Sequence, residues 1–235
     1  AAFEKYRLYR SFWKFIDVIY PPSCAVCGHE GVRFCNDCQN QIVPIGKNIC
    51  QVCGDPLPFP GVCQSCQLEP PPYTALRSYA DYQGPLREAL HSLKFKSNLA
   101  LADTFASYLI PLVQNLGWQF DVVLAVPMSR AKKRSRGYNQ AAQIAHPIAM
   151  AFHTEFSENF ITRQFEAKSQ IGLSREERFK NIHNAFQGNS AKLIGKKVLL
   201  VDDITTTGAT ITSCAKALKE SGCERIYCIT VAKTP

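Results

Sequence analysis

The sequence has 235 residues, of which 46% are hydrophobic and 20% are charged. This composition excludes a chain that is disordered throughout, because enough apolar surface is available to bury a core. Lys and Arg number 27 against 19 Asp and Glu, and the formal charge of +8 permits a polyphosphate or nucleic-acid partner without requiring one. At roughly 100–200 residues per domain, we expect one large domain and one small one.

Neither a membrane span nor a secretory signal is expected. The long uncharged run over residues 104–120 contains Pro111 and Gly117, and therefore favours a soluble helix over a transmembrane one. Near the N-terminus, Lys14 and Asp17 interrupt the apolar residues that a signal peptide would need. We therefore predict a cytoplasmic protein without an integral membrane segment.

Eight of the 11 cysteines lie between residues 24 and 66 and form four C-x-x-C pairs. Two thiolates at this spacing lie on one turn and can face one ion, and two such pairs make the tetrahedral sulfur site that suits Zn²⁺. Disulfides are disfavoured in the cytoplasm, whereas an Fe–S cluster remains compatible with the spacing. The eight cysteines predict two structural zinc ions. They are Cys24, Cys27, Cys35, Cys38, Cys50, Cys53, Cys63 and Cys66.

The spacing leaves open how the four pairs combine. Sequential sites, 24/27/35/38 and 50/53/63/66, need only short loops and are preferred, and an interleaved arrangement is the alternative. Either arrangement gives closed all-cysteine sites, which leave no open position for water and are typical of structural metals.

The sequence divides at the proline-rich segment 67–72, which behaves as a stiff spacer. We expect a helical segment over residues 1–22, a zinc-binding domain with its spacer over residues 23–72, and a large domain over residues 73–235. The apolar residues 12–20 predict a helix that packs on the zinc-binding domain, with a partner-binding helix as the alternative.

Strands and helices alternate along the large domain. The predicted strands are residues 73–82 (a strand or strand pair), 121–126, 197–201 and 225–231; the predicted helices are residues 85–95, 99–117, 139–152 and 207–220. This alternation predicts an α/β fold with a mostly parallel sheet and helices on both faces. Ligands bind such sheets beyond the carboxyl ends of the strands, which directs attention to the segments after Val126 and Val201.

The segment after Val201 combines acids, hydroxyls and a helix start. The acids suit a ligand with several hydroxyl groups, because ionised carboxylates accept hydrogen bonds. The following threonines and glycine would surround an anion at a helix N-terminus, where backbone N–H groups are unpaired. A helix cap alone explains one such residue and not the whole series. The series is Asp202, Asp203, Thr205, Thr206, Thr207, Gly208, Ala209 and Thr210.

The segment after Val126 is basic, with five Lys and Arg residues in positions 130–136. We select Arg130 and Arg136 as candidate anion ligands, whereas the three basic residues between them are equally suited to solvent or nucleic acid. Further along, residues 168–181 are predicted to be a loop entering a short helix, in which Ser174 and Glu177 form a capping box.

The segment after Val201 resembles the signature of type I phosphoribosyltransferases. The four cysteine pairs are followed by V-P-x-x-R, R-G-Y-N-Q, Q-x-G-L-S-x-x-E-R and V-D-D-x-x-T-T-G-x-T, and this order resembles the ComF/GntX family with its N-terminal double zinc ribbon. The resemblance covers residues 20–235. Met128 and Ser129 depart from the leucine and histidine common in that family, and Ala167 and Lys168 stand where a threonine is common.

The resemblance implies binding of 5-phosphoribosyl 1-pyrophosphate (PRPP) together with Mg²⁺. By that resemblance, Asp202 and Asp203 hold the ribose 2′- and 3′-hydroxyls, and residues 205–210 surround the 5′-phosphate. Arg130 and Arg136 would then contact the pyrophosphate. No histidine is placed as a general base, so catalytic residues and the acceptor stay unidentified.

Three functions are compatible with these features. The favoured one is a PRPP-binding protein that handles single-stranded DNA during natural transformation, with other competence proteins as partners, as the resemblance implies. Basic residues and the aromatic residues Phe95, Trp118 and Tyr138 are compatible with it. The second is a Mg²⁺-dependent phosphoribosyltransferase with an unknown acceptor. The third is a zinc-mediated interaction module whose ribosyl site is vestigial.

Overall fold

The computed structural model describes residues 2–96, 98–164 and 185–234. The helices in these ranges are α1 (Ala2–Ile19), α2 (Asn36–Gln39), α3 (Gln64–Leu68), α4 (Gly84–Phe95), α5 (Leu101–Leu116), α6 (Arg130–Arg136), α7 (Gln140–Phe152), α8 (Ser190–Leu193) and α9 (Ala209–Glu220). The strands are β1 (Ala75–Asp81), β2 (Val122–Ala125), β3 (Glu155–Ser157), β4 (Ile161–Arg163), β5 (Phe186–Gly188), β6 (Lys197–Thr205) and β7 (Arg225–Lys233). None of the described helices has both the length and the apolar character of a membrane span.

Five strands form one parallel sheet in the order β1-β7-β6-β2-β3. The central strand β6 buries Leu199 and Val201 in one side of the core and Val198 and Leu200 in the other, which is why its sequence is continuously apolar. Strands β4 and β5 form a separate antiparallel pair. The predicted α/β fold with a mostly parallel sheet is therefore confirmed.

Helices cover both faces of this sheet. Helices α4, α5 and α7 bury residues such as Phe105 and Ile148 against one face. Helix α9 and the β4–β5 pair cover the other face through residues that include Phe186, Cys214 and Leu218. Because both faces are covered, the carboxyl ends of the strands are the part of the sheet at which a ligand can reach the loops.

The zinc-binding segment lies along the outer edge of β1. The backbone N–H of Asp81 donates to the carbonyl of Val43 over 2.9 Å, and the N–H of Leu76 donates to the carbonyl of Val52 over 2.7 Å. These bonds use backbone groups that an edge strand otherwise presents to solvent or to another strand. The segment therefore pairs with the edge strand of the large domain in addition to carrying the cysteines.

Helix α1 contacts both parts of the molecule. The guanidinium of Arg33 lies 4.8 Å from the ring centroid of Trp13 and forms an ion pair with Asp17. The Tyr9 ring meets His146 of α7 edge-on, with ring centroids 6.3 Å apart. The N-terminal helix thus packs on the zinc-binding segment, as expected, and on the large domain as well.

Strand β6 is longer than its apolar run suggests. The expected strand ends at Val201, but β6 continues to Thr205 because β7 extends beside it, with Asp202 opposite Thr230 and Thr205 opposite Lys233. Asp202 and Asp203 are consequently strand residues, and α9 begins at Ala209 instead of 207.

Two further local differences from the predicted elements have identifiable causes. Residues 130–136, which lie outside the predicted helices, form helix α6, because the hydroxyl of Ser129 accepts from the Lys132 N–H and Gly137 ends the helix with a φ of 84°. The short strands β3, β4 and β5 were not expected, because three residues are too few for a pattern that predicts a strand. Residues 75–81 form one strand, which agrees with the predicted strand or strand pair. The predicted loop and helix over residues 168–181, with Ser174 and Glu177, lie outside the described residues.

Candidate functional site

The first four cysteines converge on one point. The sulfur atoms of Cys24, Cys27, Cys35 and Cys38 lie within 4.8 Å of one another. The Sγ–Sγ distance is 3.8 Å from Cys24 to Cys38 and 3.5 Å from Cys27 to Cys35. A tetrahedral site with Zn–S bonds of about 2.3 Å requires roughly 3.8 Å between sulfurs, so this cluster has the size of a zinc site.

The second four cysteines form an equivalent cluster. The sulfur atoms of Cys50, Cys53, Cys63 and Cys66 also lie within 4.8 Å of one another, and Cys53 and Cys63 are 3.7 Å apart. Backbone N–H groups of Val52 and Cys63 donate to the Cys50 sulfur over 3.4 and 3.3 Å. Although burial raises it, these and other backbone donors lower the pKa of Cys50 to about 6, which favours the thiolate that binds metal.

The two clusters fit two zinc sites, one in each half of the segment. The structure groups the cysteines in sequence order, as 24/27/35/38 and 50/53/63/66. Each cluster offers four sulfur ligands, and a closed four-sulfur site is structural in character. Outside these clusters, Cys214 and Cys228 are fully buried in the core beside the sheet.

The acidic pair lies where the direction of the sheet reverses. From β6 the chain continues to β7 on one side, whereas from β2 it continues to β3 on the other, so the crevice between β6 and β2 is the switch point of this fold. The last β2 pair joins Ala125 to Val201, and beyond it β6 continues with β7 alone. Asp202 and Asp203 therefore stand just past the end of β2, at the opening of the crevice.

The two carboxylates have different surroundings. Asp203 is buried, and one of its oxygens lies 2.7 Å from the ammonium of Lys94, near the end of α4. A carboxylate oxygen of Asp202 accepts a hydrogen bond of 2.9 Å from the Asp203 N–H. Burial and then the charge of Asp203 raise the pKa of Asp202 well above its ordinary value. One acid thus has an internal counterion, whereas its neighbour holds a proton more tightly.

The threonine-rich segment turns from β6 into α9. Thr205 is buried at the end of the strand, whereas Thr206, Thr207 and Thr210 are exposed. Gly208 has a φ of 74°, a conformation that side-chain-bearing residues rarely adopt, and it allows the helix to begin at the next residue. The exposed hydroxyls and the first N–H groups of this 12-residue helix suit an anion.

The basic helix α6 follows β2, the strand beside β6. Arg130 is exposed, whereas Arg136 is half-buried, hydrogen-bonded to Gln140, and stacked over the Phe95 ring at 5.1 Å. The Asn139 side chain donates to the Val126 carbonyl over 3.0 Å, which joins the start of α7 to the end of β2. The structure therefore brings the acidic pair and the basic segment to adjacent strand ends.

Sequence reasoning missed the role of Lys94 and grouped aromatic residues that the fold separates. Nothing in the local sequence marks Lys94 as the partner of Asp203. The Tyr138 hydroxyl is used in a hydrogen bond to the Leu93 carbonyl. Trp118 precedes β2, at the opposite end of the sheet, and its ring stacks on that of the buried Tyr227, with centroids 4.8 Å apart.

Fold, cysteine clusters and acidic crevice together define a phosphoribosyltransferase-type domain with an N-terminal zinc ribbon. Family comparison agrees: the double zinc ribbon domain matches residues 15–67, and the phosphoribosyl transferase domain matches residues 92–235.

Relatives that match most of this chain show to which family of phosphoribosyltransferase-type proteins it belongs. The chain is 30% identical to the DNA utilization protein YhgH of Salmonella typhimurium over 89% of its own length and 96% of the relative's. It is 28% identical to Competence protein F of Haemophilus influenzae (82% and 86% covered) and 25% identical to Competence protein ComFC of Bacillus subtilis (81% and 79% covered). The chain belongs to the ComF family.

Among solved structures, the chain is similar to an allosteric regulatory enzyme of purine biosynthesis. The two are 20% identical with a TM-score of 0.40, and the similarity covers 56% of this chain and 25% of that one.

Proposed function

We propose that this protein binds PRPP with Mg²⁺ and handles single-stranded DNA in the uptake and use of DNA. The names of its relatives, which refer to DNA utilization and competence, support the second part. The observation that carries the first part is the acidic pair at the switch point of the sheet, with a threonine–glycine turn on its own strand and a basic helix after the neighbouring strand. Cytoplasmic location and other competence proteins as partners belong to the same proposal.

Each part of PRPP has matching chemistry in the crevice. Carboxylates of Asp202 and Asp203 accept hydrogen bonds from the ribose hydroxyls. The turn over residues 205–210 receives the 5′-phosphate at the start of α9. Arg130 and Arg136 bind the pyrophosphate, whose remaining charge Mg²⁺ neutralises when it arrives with PRPP.

Lys94 adds a feature to this scheme. Its ammonium lies 2.7 Å from an Asp203 carboxylate oxygen and is the counterion of this buried acid. Burial and the neighbouring Asp203 raise the pKa of Asp202 and so favour its protonated form. Positive charge from the basic side chains, and from Mg²⁺ bound with PRPP, would favour its ionised form.

The domain division follows from this assignment. Residues 1–22 are the N-terminal helical segment, residues 23–72 the double zinc ribbon with its proline-rich spacer, and residues 73–235 the PRPP-binding domain. Zinc supports the fold of the second part, and the chemistry belongs to the third.

Calorimetric titration of Mg²⁺–PRPP into zinc-loaded protein tests the binding site. We expect the wild type to bind and Asp202→Asn/Asp203→Asn to lose binding. The control is Glu30→Gln/Glu69→Gln, which removes two exposed carboxylates from the zinc ribbon and should bind like the wild type. Absence of binding by the folded wild type would overturn the proposal and favour an interaction module with a vestigial site.

A transfer reaction is the second candidate, supported by the phosphoribosyl transferase domain match and by cations beside the acidic pair. In such a reaction an acceptor nitrogen forms the bond to ribose C1 while pyrophosphate leaves with the bonding electrons, and basic groups stabilise the charge on the leaving group. Release of pyrophosphate that depends on both Mg²⁺ and an added acceptor would support it.

A further inference from the structure

An aromatic ring lies at the edge of the crevice, exposed to solvent. Phe95 ends α4 with 64% of its surface exposed. The Arg136 guanidinium lies 5.1 Å from the ring centroid, and the His91 ring lies 4.5 Å away. A base can stack on such a ring, and the adjacent cation adds to the attraction.

Exposed positive charge lies on both segments that meet at this ring, the end of α4 and α6. Arg130, Lys132 and Arg134 of α6 are exposed, and so is Lys96, the residue that follows Phe95. The sequence contains no Asp or Glu from residue 127 to 154. Among the α6 cations, Lys133 pairs with Glu158 over 3.1 Å and is left out of the surface defined next. We call the set formed by Phe95, Lys96, Arg130, Lys132, Arg134 and Arg136 the α4–α6 surface.

Phe95 differs from the other aromatic residues near the basic segment. Tyr138 is half-buried, and its hydroxyl is bonded to the α4 backbone. Trp118 lies at the other end of the sheet. Of these three aromatic residues, Phe95 is therefore the one that offers an exposed ring beside exposed cations.

We propose that the α4–α6 surface binds single-stranded DNA, with an unpaired base stacked on Phe95 and phosphates on the cations of α6; this inference rests on the DNA-handling part of the proposed function. Single strands fit better than duplexes, because only unpaired bases present their faces to an aromatic side chain. Lys94, the residue before Phe95, pairs with Asp203, so the DNA surface begins directly beside the acidic pair.

Two kinds of variant separate stacking from charge. Phe95→Ala should weaken binding of an oligothymidylate of roughly 16 nucleotides by about 5- to 150-fold, with the salt dependence unchanged. Lys132→Gln/Arg134→Gln should reduce the slope of log K against log[salt] by about 1.4, because each phosphate contact on a single strand contributes about 0.7. Fluorescence anisotropy over a salt series measures both quantities on the zinc-loaded full chain.

Matched controls lie elsewhere on the chain. Phe59→Ala removes another exposed aromatic ring, in the zinc ribbon, and Lys192→Gln/Lys196→Gln removes two exposed lysines near the amino end of β6. Both controls should bind like the wild type. Equal binding by Phe95→Ala and Phe59→Ala would overturn the α4–α6 surface while leaving DNA handling intact. Failure of the wild type to bind the oligonucleotide at low salt would overturn both.

Discussion

The ammonium of Lys94 lies 2.7 Å from a carboxylate oxygen of Asp203, so the last turn of α4 is joined to the central strand of the sheet. The Asp203 side chain is 5% exposed and that of Lys94 is 20% exposed. A carboxylate buried to this extent is stable as an anion only with a partner, and Lys94 supplies it. The same contact fixes the end of α4, which carries Phe95.

Replacement of Lys94 by methionine should therefore destabilise the protein. We expect a loss of about 3 kcal/mol, at the lower end of the roughly 3–5 kcal/mol found when one partner of a buried ion pair is removed, because Lys94 retains some solvent contact. Urea unfolding measures this loss, with Lys96→Met as the control at an exposed neighbouring position. In an Asp203→Asn background the same Lys94→Met change should cost much less. Equal unfolding midpoints for the Lys94 and Lys96 variants would contradict this role.

The raised pKa of Asp202 predicts a pH dependence of stability with a definite sign. In the unfolded chain this group titrates near about 3.9, whereas burial and the neighbouring Asp203 raise its pKa in the folded protein. The folded state thus holds a proton that the unfolded state releases, so the contribution of Asp202 to stability falls as pH rises toward the folded-state pKa.

Asp202→Asn removes that titration. We expect the unfolding free energy of the wild type, relative to Asp202→Asn at each pH, to decrease as the pH rises above about 3.9, the pKa of an aspartate in an unfolded chain. Urea unfolding of both zinc-loaded proteins gives this difference, in which the other titrating groups cancel. A difference that stays constant or increases with pH would show that the pKa of Asp202 is not raised.

Metal content should follow the two cysteine clusters independently. The wild type should contain about two zinc ions per chain, and Cys24→Ser and Cys50→Ser should each contain about one. Cys223→Ser, outside both clusters, should retain two. Elemental analysis after gel filtration measures these values, and loss of both ions from Cys24→Ser would contradict two separate sites.

Two equivalent glycines should respond differently to substitution by alanine. Gly28 and Gly54 each follow a C-x-x-C pair and have φ angles of 77° and 70°, so alanine costs roughly 1–2 kcal/mol at either position. A Cβ at Gly28 meets nothing within 4 Å, whereas one at Gly54 would lie 2.6 Å from the Leu76 carbonyl oxygen in β1.

Gly54→Ala should therefore lose about 1–3 kcal/mol more than Gly28→Ala, because backbone must move away from backbone. Urea unfolding of the zinc-loaded variants measures the extra loss. Identical stability of the two variants would mean that the second cluster does not pack closely on β1.

PRPP and single-stranded DNA should compete if the proposed sites are correct. Both are polyanions, and the proposed pyrophosphate ligands Arg130 and Arg136 belong to the α4–α6 surface. Saturating Mg²⁺–PRPP should weaken oligothymidylate binding several-fold in anisotropy measurements. Ribose 5-phosphate lacks the pyrophosphate and serves as the control, with no expected effect. Equal effects of the two ligands would separate the DNA surface from the pyrophosphate ligands.

Local patterns were sufficient for the parts of the site that short segments build. Each cysteine cluster needs only two tight turns and a short loop, so the spacing of the pairs that begin at Cys24 and Cys50 was enough to predict both four-cysteine clusters. The continuously apolar strands also indicated a sheet covered on both faces, with acids at the end of one strand and cations after another.

Contacts between distant segments were beyond the reach of sequence patterns. The pairing of Lys94 with Asp203 depends on where α4 ends relative to β6, and no periodicity encodes that distance. The extension of β6 to Thr205 depends on the length of β7 beside it. For the same reason, no local pattern distinguishes the exposed Phe95 from the hydrogen-bonded Tyr138, because their surroundings depend on how α4 packs beside α6.

Because the zinc ribbon occupies the outer edge of β1, it also keeps that edge strand from pairing with another chain. A fragment that starts at Tyr73 would lack the Val43 and Val52 carbonyls that bond to β1, and would present that flank to any other extended chain. Stripping the metals should have the same effect, because the ribbon then loses the framework that keeps it in place. Chelation would in this way expose β1 as a template for strand addition, and aggregation of the intact chain would be an early sign of metal loss.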